Sequence, residues 1–201
     1  MVPRLVERSL SSEPIDRLRA EACAGLTGRV LEIGFGSGMN TPFYPPELIS
    51  VAAVEPSDLG WEMSAGRRAA AGIPIERVGL DGQRLEAADA AYHSVLVTFS
   101  LCTIPDPAAA LAEARRVLLP GGSLHFLEHG LAPTERVRRW QRRMEPFQRR
   151  IAGGCHLTRD VPALVEAAGF EVAELRQEYV VGPAVARPWT YGTVGRALAV
   201  G

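Results

Sequence analysis

A strand-like run that leads into a glycine-rich turn is the feature that most constrains this chain. The run RVLEI (29–33) is apolar and branched, and Gly34, Gly36 and Gly38 follow it. Glycine permits backbone conformations that other residues avoid and lets a ligand approach the main chain closely. A tight turn without a ligand would use the same glycines, so the surrounding pattern has to decide between the two interpretations.

Strand-like and helical patterns alternate along the rest of the chain. Further strands are predicted at 49–55, 75–78, 94–100, 123–128, 171–175 and 189–199. Helices are predicted at 56–72, at 107–118 behind the N-cap Asp106, and at 160–168. This order predicts an α/β fold, a parallel sheet with helices on both faces. The 201 residues contain no linker-like segment, so we expect a single domain over 1–201.

Composition excludes several classes of protein. The net charge is −1, and all 22 basic residues are arginine, so no overall field favours nucleic acid. Cys23, Cys102 and Cys155 lie far apart, which predicts neither a disulfide framework nor a metal site. The opening segment has no apolar signal-peptide core, and the longest uncharged apolar run, 90–105, falls short of the ~18 residues of a spanning helix. We therefore expect a cytoplasmic protein.

The spacing of the glycines separates two classes of ligand. A dinucleotide fingerprint would place its third glycine at position 39, which is Met39 here. The observed spacing is G-x-G-x-G preceded by Glu32, and Glu55 ends the second predicted strand, where its carboxylate could accept both hydroxyls of a ribose. This pattern resembles the first motif of the class I S-adenosylmethionine (SAM) methyltransferases.

Two longer segments strengthen that resemblance, which extends over residues 25–200. They are ERVGLDGQRLE (76–86) and SVLVTFSLCTIPDPAAALAEARRVLLPGGSLHFLEHG (94–130). The resemblance implies a Rossmann-like, seven-stranded, mostly parallel sheet whose last strand runs antiparallel. Within the family the chain looks most similar to small-molecule thiol S-methyltransferases, through LEIGFGSGMN, FYPPE, LCTIPDP and GGCHLTRD. It departs from them at Phe35, where they usually have cysteine, and we expect no counterpart of their apolar N-terminal membrane anchor in these 201 residues.

The resemblance also implies a set of cofactor-binding residues. The glycines would shape the pocket, the carboxylate of Glu32 would orient the turn or meet the methionine ammonium, and Glu55 would hold the ribose. Asp81 and the Gly82 amide would read the adenine edge. The full set comprises Glu32, Gly34, Phe35, Gly36, Gly38, Asn40, Glu55, Pro56, Ser57, Asp81, Gly82, Ser100, Leu101 and Cys102. SAM would be the cofactor and S-adenosylhomocysteine (SAH) the product.

The acceptor is less constrained than the cofactor. Without lysine, and with Asn40 as the one asparagine, the chain fits neither lysine-centred nor metal-assisted subclasses, so a metal-free enzyme for a small-molecule acceptor is predicted. The acceptor atom could be the sulfur of a thiol, or O, N or C. His129, after the fifth predicted strand, is the candidate base. An NAD-dependent oxidoreductase and a SAM-binding protein without turnover remain alternatives, and the oligomeric state is open.

The most unusual segment is an Arg-rich helical insert at about 133–155. Between 135 and 151 the segment contains seven arginines and only two glutamates, and its apolar residues recur at steps of three and four. Those apolar residues are Val137, Trp140, Met144, Phe147 and Ile151. A solvated surface helix is the simplest interpretation. A lid over the acceptor pocket is the functional one, and peripheral contact with a membrane of anionic lipid is a third, less favoured use.

Overall fold

The computed structural model describes Glu7 and residues 10–180 and 182–200. Its strands are β1 (Arg29–Ile33), β2 (Ser50–Val54), β3 (Ile75–Gly79), β4 (Tyr92–Thr98), β5 (Leu118–His129), β6 (Phe170–Tyr179) and β7 (Tyr191–Ala199). Its α-helices within these residues are α1 (Glu13–Cys23), α2 (Asp58–Met63), α3 (Ala65–Ala70), α4 (Pro107–Val117), α5 (Glu135–Ile151), α6 (Val161–Ala167) and α7 (Arg187–Thr190). No helix of the described residues has the length and apolar character needed to span a bilayer.

The strands form one sheet in the order β3-β2-β1-β4-β5-β7-β6. The first five strands pair in parallel, and β7 lies antiparallel between β5 and β6. The expected seven-stranded, mostly parallel sheet with an antiparallel last strand is therefore confirmed. The chain runs outward from β1 through β2 to β3, then returns to β4 on the other side of β1. Ligands bind at such a reversal point in open α/β sheets.

Element boundaries differ from the prediction in two informative places. β4 ends at Thr98, because Phe99 takes a left-handed conformation with φ of 50° and turns the chain out of the sheet. The predicted helix at 56–72 is two short helices that meet at Ser64. The Ser64 hydroxyl donates to the carbonyl of Trp61 and accepts from Arg68. Serine inside a helix competes for backbone groups in this way, which favours a break.

Helices cover both faces of the sheet, and β1 shows how its side chains divide between them. Leu31 and Ile33 pack in the larger core, beneath α4 and α6. Val30 points the opposite way, into a second core that includes residues of α1. Because side chains alternate along a strand, Glu32 shares the face of Val30 and is fully buried under the α1 side. The position of Glu32 in the strand therefore places a carboxyl group in the interior.

α4 and α6 begin as the sequence predicts. The side chains of Asp106 and Asp160 accept from the amides three residues later, and each is followed by a proline in the first turn. A side-chain acceptor satisfies one of the free amides at a helix start, and proline has no amide to satisfy. These two helices support the β4–β5 half of the sheet, against which the candidate site is built.

His125 on β5 gives the fold a pH dependence. Its side chain is buried on the α1 face, with Nδ1 3.0 Å from the carbonyl oxygen of Ala22 and Nε2 3.0 Å from the Ser123 hydroxyl. Burial lowers the pKa of His125 from 6.5 to about 4. The unfolded chain binds this proton first as the pH falls, so the stability contributed by neutral His125 is present above pH 6.5 and is lost as the pH falls toward 4.

We expect a His125→Gln variant to lose less stability than the wild type between neutral pH and pH 4, by up to about 3 kcal/mol. The measurement is the free energy of urea unfolding across that range. The buried carboxyls of Glu32 and Glu128, with pKa values raised to about 7, act in the opposite direction in both proteins. The difference between the two profiles isolates His125, and parallel profiles would contradict its assigned pKa.

Candidate active site

A well-formed cavity lies outside the carboxyl ends of the parallel strands, where the strand order reverses. Its volume is about 510 Å³. This volume falls within the range of roughly 300–1,000 Å³ that is usual for small-molecule sites. Nine of the residues predicted to bind a cofactor lie on its wall. They are Gly34, Phe35, Gly36, Asn40, Glu55, Pro56, Asp81, Gly82 and Ser100.

The glycine turn forms one side of this cavity and needs its glycines. Gly34 has φ of 79°, and a Cβ added there would lie 1.8 Å from the hydroxyl oxygen of Ser100. The turn therefore passes the start of the loop after β4 with no room for a side chain. Gly38 has φ of 76° but lies behind the wall, where an added Cβ would be 3.1–3.2 Å from Thr41, Phe35 and Ser64. Its contribution is to packing of the turn.

Glu55 follows β2 and faces the cavity from a fixed position. One carboxylate oxygen accepts from the amide of Gly36 at 2.6 Å and the other from the amide of Ser57 at 2.8 Å. The Ser57 hydroxyl caps α2 by accepting from Gly60, so Ser57 supports Glu55 from behind the wall. Each carboxylate oxygen retains acceptor capacity for a ligand hydroxyl.

The wall beyond β3 carries the predicted adenine-reading pair. One oxygen of Asp81 accepts from the amide and the side-chain nitrogen of Gln83, both at 2.9 Å. These bonds lower the pKa of Asp81 and keep it ionised. At Gly82 an added Cβ would lie 2.5 Å from a methyl group of Ile33, so glycine is required for the loop to lie against β1.

Glu32 lies behind the wall at the centre of a buried hydrogen-bond network. Its carboxyl group accepts from Asn40 Nδ2 at 2.8 Å and from the hydroxyl of Tyr44. Burial raises the pKa of Glu32 to about 7, although the hydrogen bonds from Tyr44 and Asn40 oppose this. Of the two roles that the sequence left open, orienting the turn fits this position, because Asn40 stands between Glu32 and the cavity.

Arg19 is a wall residue that the sequence analysis did not identify. It lies on α1, is only 3% exposed, and donates to Asn40 Oδ1 at 2.7 Å. Its guanidinium lies 5.3 Å from the centre of the Phe99 ring, and its Nε is buried without a hydrogen-bond partner among the described residues. A buried cation with an unused donor at the edge of a cavity suits an anionic ligand group. An arginine on the inward face of α1 was the available sequence signal.

The loop after β4 is held from behind by Glu128 of β5. The buried carboxylate of Glu128 accepts from the amides of Ser100, Leu101 and Cys102, at 2.7, 2.8 and 3.2 Å. Burial raises the pKa of Glu128 to about 7. The amides therefore point toward Glu128, and Leu101 and Cys102 stand behind the cavity wall, so their contact with a ligand stays a prediction. Ser100 alone of the three reaches the wall.

Cys102 packs with Cys155 and Leu157 under α5, as a small apolar group would. Its hydrogen bond with Cys155 and its burial raise the pKa of Cys102, so its thiol stays protonated. The carbonyl of Cys102 accepts from the amide of His156 at 2.7 Å, which ties the segment after α5 to the loop. Cys155 and His156 therefore have a loop-holding position behind the cavity wall.

His129, the predicted base, does not lie on the cavity wall. It ends β5 on the α1 face, and its ring packs against Phe99 with 5.2 Å between the ring centres. Burial lowers the pKa of His129 to about 4. A group this weakly basic gains little driving force for accepting a proton from an acceptor. The geometry places His129 as support for Phe99, which does line the cavity.

α5 does not lie over the cavity as a lid would. Trp140, Phe147 and Ile151, three of the five apolar residues expected to cover the pocket, are 54%, 57% and 48% exposed. The part of the insert that reaches the wall is Ala152 and Gly153, immediately after the helix. Trp140, Phe147 and Ile151 thus point to solvent, whereas Val137 is half-buried and Met144 packs against the cluster around Cys102. The end of α5 borders the cavity.

Comparison with known proteins identifies the family. Residues 31–126 match the family described as "Methyltransferase domain". Thiol S-methyltransferase TMT1A of Homo sapiens is 31% identical over 182 residues, which cover 84% of this chain and 72% of that protein. The chain belongs to the class I SAM-dependent methyltransferases. The donor for this methyltransferase family is SAM.

Other relatives and solved structures agree with this assignment. Thiol S-methyltransferase TMT1B of Rattus norvegicus is 36% identical to this methyltransferase over 154 residues, 73% of the chain. The chain spans 61% of the length of that rat protein. A SAM-dependent methyltransferase structure from Thermotoga maritima has the same fold, with a TM-score of 0.68, 21% identity and coverage of 98% of this chain and 92% of the other. A SAM-dependent methyltransferase structure from Aquifex aeolicus covers 100% of both chains, with a TM-score of 0.66 and 15% identity.

Proposed function

We propose that this methyltransferase transfers a methyl group from SAM to the sulfur of a small-molecule thiol. The observation that carries the proposal is the cavity at the reversal point. In this cavity the carboxylate of Glu55, which would bind the ribose, lies on a wall that has no histidine or tyrosine among the described residues. The thiol S-methyltransferases among its relatives, at 31–36% identity, support the same acceptor class.

The residues on the wall fit the parts of SAM. Glu55 would accept hydrogen bonds from both ribose hydroxyls, with Pro56 bordering the adenine. Asp81 would accept from the adenine amino group, and the Gly82 amide would donate to the ring. Arg19, whose buried Nε has no hydrogen-bond partner in the part of the chain that the structure describes, would bind the carboxylate of the methionine part beside Ser100.

The acceptor side of the wall is mainly apolar. Thr103, Ile104 and Pro105 contribute from the loop after β4, and Ala152 and Gly153 from the end of α5. The carboxylates on the wall are already engaged: Glu7 pairs with Arg67 at 2.7 Å, and the bonds of Glu55 and Asp81 are described above. An acceptor here receives little help in losing its proton.

A thiol needs the least help of the acceptor classes. Its ordinary pKa of about 8.5 leaves a few per cent as thiolate at neutral pH, and the thiolate is the nucleophile. SAM supplies a methyl group already activated on a sulfonium. The work left to the chain is positioning of the acceptor and exclusion of water, and the thiol proton can leave to solvent.

Two measurements test the proposed function. Calorimetric titration with SAH should give a saturable signal, and NADH should give none. Incubation with methyl-labelled SAM and a panel of thiols, amines and phenols should label thiols, with the methyl group on sulfur. Binding of NADH without binding of SAH would refute SAM as the cofactor of this chain. Labelling of amines or phenols alone would refute a thiol as the acceptor. Binding of SAH with no methylated product would favour a SAM-binding protein without turnover.

Replacing Arg19 by glutamine is expected to weaken SAH binding by about 10- to 100-fold, because a hydrogen bond to a charged group contributes roughly 1.5–3 kcal/mol. Arg19→Lys, which keeps the charge, should recover part of the affinity. The matched ligand is 5′-methylthioadenosine, which has the nucleoside but no carboxylate and should bind all three proteins equally. An equal loss for both ligands would mean that Arg19 acts only by shaping the turn through Asn40.

A further inference from the structure

α5 has an inverted arrangement of polar and apolar residues. Gln141 is its buried residue, and its amide group bonds to the backbone of Gly130, Ala132 and Pro188 at 3.0–3.2 Å. Gln148 accepts from the indole nitrogen of Trp189 at 3.1 Å. These bonds fix the rotation of the helix, so that glutamines face the protein while a tryptophan and a phenylalanine face outward.

The outward apolar residues form a single row. Trp140, Phe147 and Ile151 follow one another at steps of seven and four, so they project from nearly the same side of the helix. The row extends about 17 Å along the axis, from the ~1.5 Å rise per residue. Each of the three side chains is close to half exposed. Exposed apolar residues scattered singly are ordinary, whereas an aligned row indicates a binding surface.

A second row, of arginines, runs beside the apolar row. Arg136, Arg143 and Arg150 are exposed and recur every seven residues, about 60° around the helix from the apolar row. Within residues 10–180 and 182–200, none of these three guanidinium groups pairs with a carboxylate. The positive charge is local, because the whole chain carries a net charge of −1.

We infer that α5 is a docking surface for an anionic lipid bilayer, with the apolar row entering the headgroup boundary and the arginine row meeting lipid phosphates. Interfacial helices combine these two features, and tryptophan is favoured at that depth. A second copy of the chain fits less well, because an antiparallel two-fold contact through α5 would bring the arginine rows of both copies together. This inference goes beyond methyl transfer and does not depend on it.

Vesicle binding tests the inference. The full chain should co-sediment with vesicles of equal parts phosphatidylglycerol and phosphatidylcholine and not with phosphatidylcholine alone, and added salt should weaken the binding. The fluorescence of Trp140 should shift to shorter wavelength on binding. The triple variant R136Q/R143Q/R150Q should lose about 100-fold in affinity, at roughly 1 kcal/mol per arginine. Trp140→Ser combined with Phe147→Ser should remove most of the binding.

Matched controls separate the surface from general charge and hydrophobicity. R17Q/R84Q/R176Q removes three exposed arginines outside α5, and Ile49→Ser removes an isolated apolar side chain that is 60% exposed. Both should bind vesicles as the wild type does, and all variants should bind SAH normally. Equal binding by the α5 variants and the wild type would overturn the inference. A dimer that the α5 variants dissociate, with no vesicle binding, would overturn it in favour of a second copy.

Discussion

Replacing Glu55 by glutamine is expected to weaken SAH binding about 100-fold. The amide nitrogen of glutamine cannot accept, so one of the two ribose hydroxyls loses its charge-assisted acceptor, and losing such a bond costs roughly 1.5–3 kcal/mol. The variant also loses one of the two backbone amides that now fix the carboxylate, because the glutamine side chain has a single acceptor oxygen. The measurement is the calorimetric dissociation constant for SAH, with adenine as a ligand that lacks the sugar.

Glu62→Gln is the control for this experiment. Glu62 lies seven residues further along the chain, on α2, and its side chain is exposed, so the same change of charge there should leave SAH binding unaltered. Thermal unfolding of both variants checks that the fold is retained. An unchanged dissociation constant for Glu55→Gln would contradict the ribose role, and with it the placement of the cofactor in the cavity.

Gly34→Ala is expected to destabilise the protein by about 3 kcal/mol and to abolish SAH binding. The left-handed backbone at Gly34 costs an alanine roughly 1–2 kcal/mol, and overpacking typically adds 1–3 kcal/mol. The overlap is specific, because the new Cβ would lie 1.8 Å from Ser100 Oγ and 2.7 Å from Ser100 Cβ. Urea unfolding at neutral pH measures the loss.

A double variant separates the two causes. Ser100→Gly removes both overlapping atoms and leaves the Ser100 Cα 4.0 Å from the new methyl group. Gly34→Ala with Ser100→Gly should therefore be more stable than the two single losses predict, by the steric share of about 1–3 kcal/mol. Strict additivity would show that contact with Ser100 is not the cause.

The sequence predicted the sheet, and most of the residues selected at strand ends line the cavity, for physical reasons. The parallel strands are apolar and branched, and glycines mark the turn. Several residues that line the cavity lie within two positions of a strand end: Gly34, Glu55 and Asp81. Because strand ends converge in a parallel sheet, their positions along the chain determine their positions in space.

The sequence did not predict which residues face the cavity and which stand behind it. Glu128 captures the amides of Leu101 and Cys102, and Asn40 separates Glu32 from the wall. The first pairing joins residues 26 and 27 positions apart, and the second depends on the path of the glycine turn, so no local pattern encodes either one. Arg19 escaped notice for the same reason, because its partners are 21 and 79 residues away. Trp140, Phe147 and Ile151 recur with the spacing typical of a buried helix face, yet they are exposed. The residues that hold α5 to the protein are Gln141 and Gln148, which are polar and so do not mark a buried face in the sequence.

The end of α5 leads directly into the cavity rim, which determines how a lipophilic substrate would enter the cavity from a membrane. Ala152 and Gly153 follow Ile151 directly and form part of the cavity rim. With the helix resting on a leaflet, that rim would stand beside the lipid surface. A lipophilic acceptor could then enter the cavity laterally without dissolving in the aqueous phase, so its concentration in the leaflet would govern its supply to the enzyme.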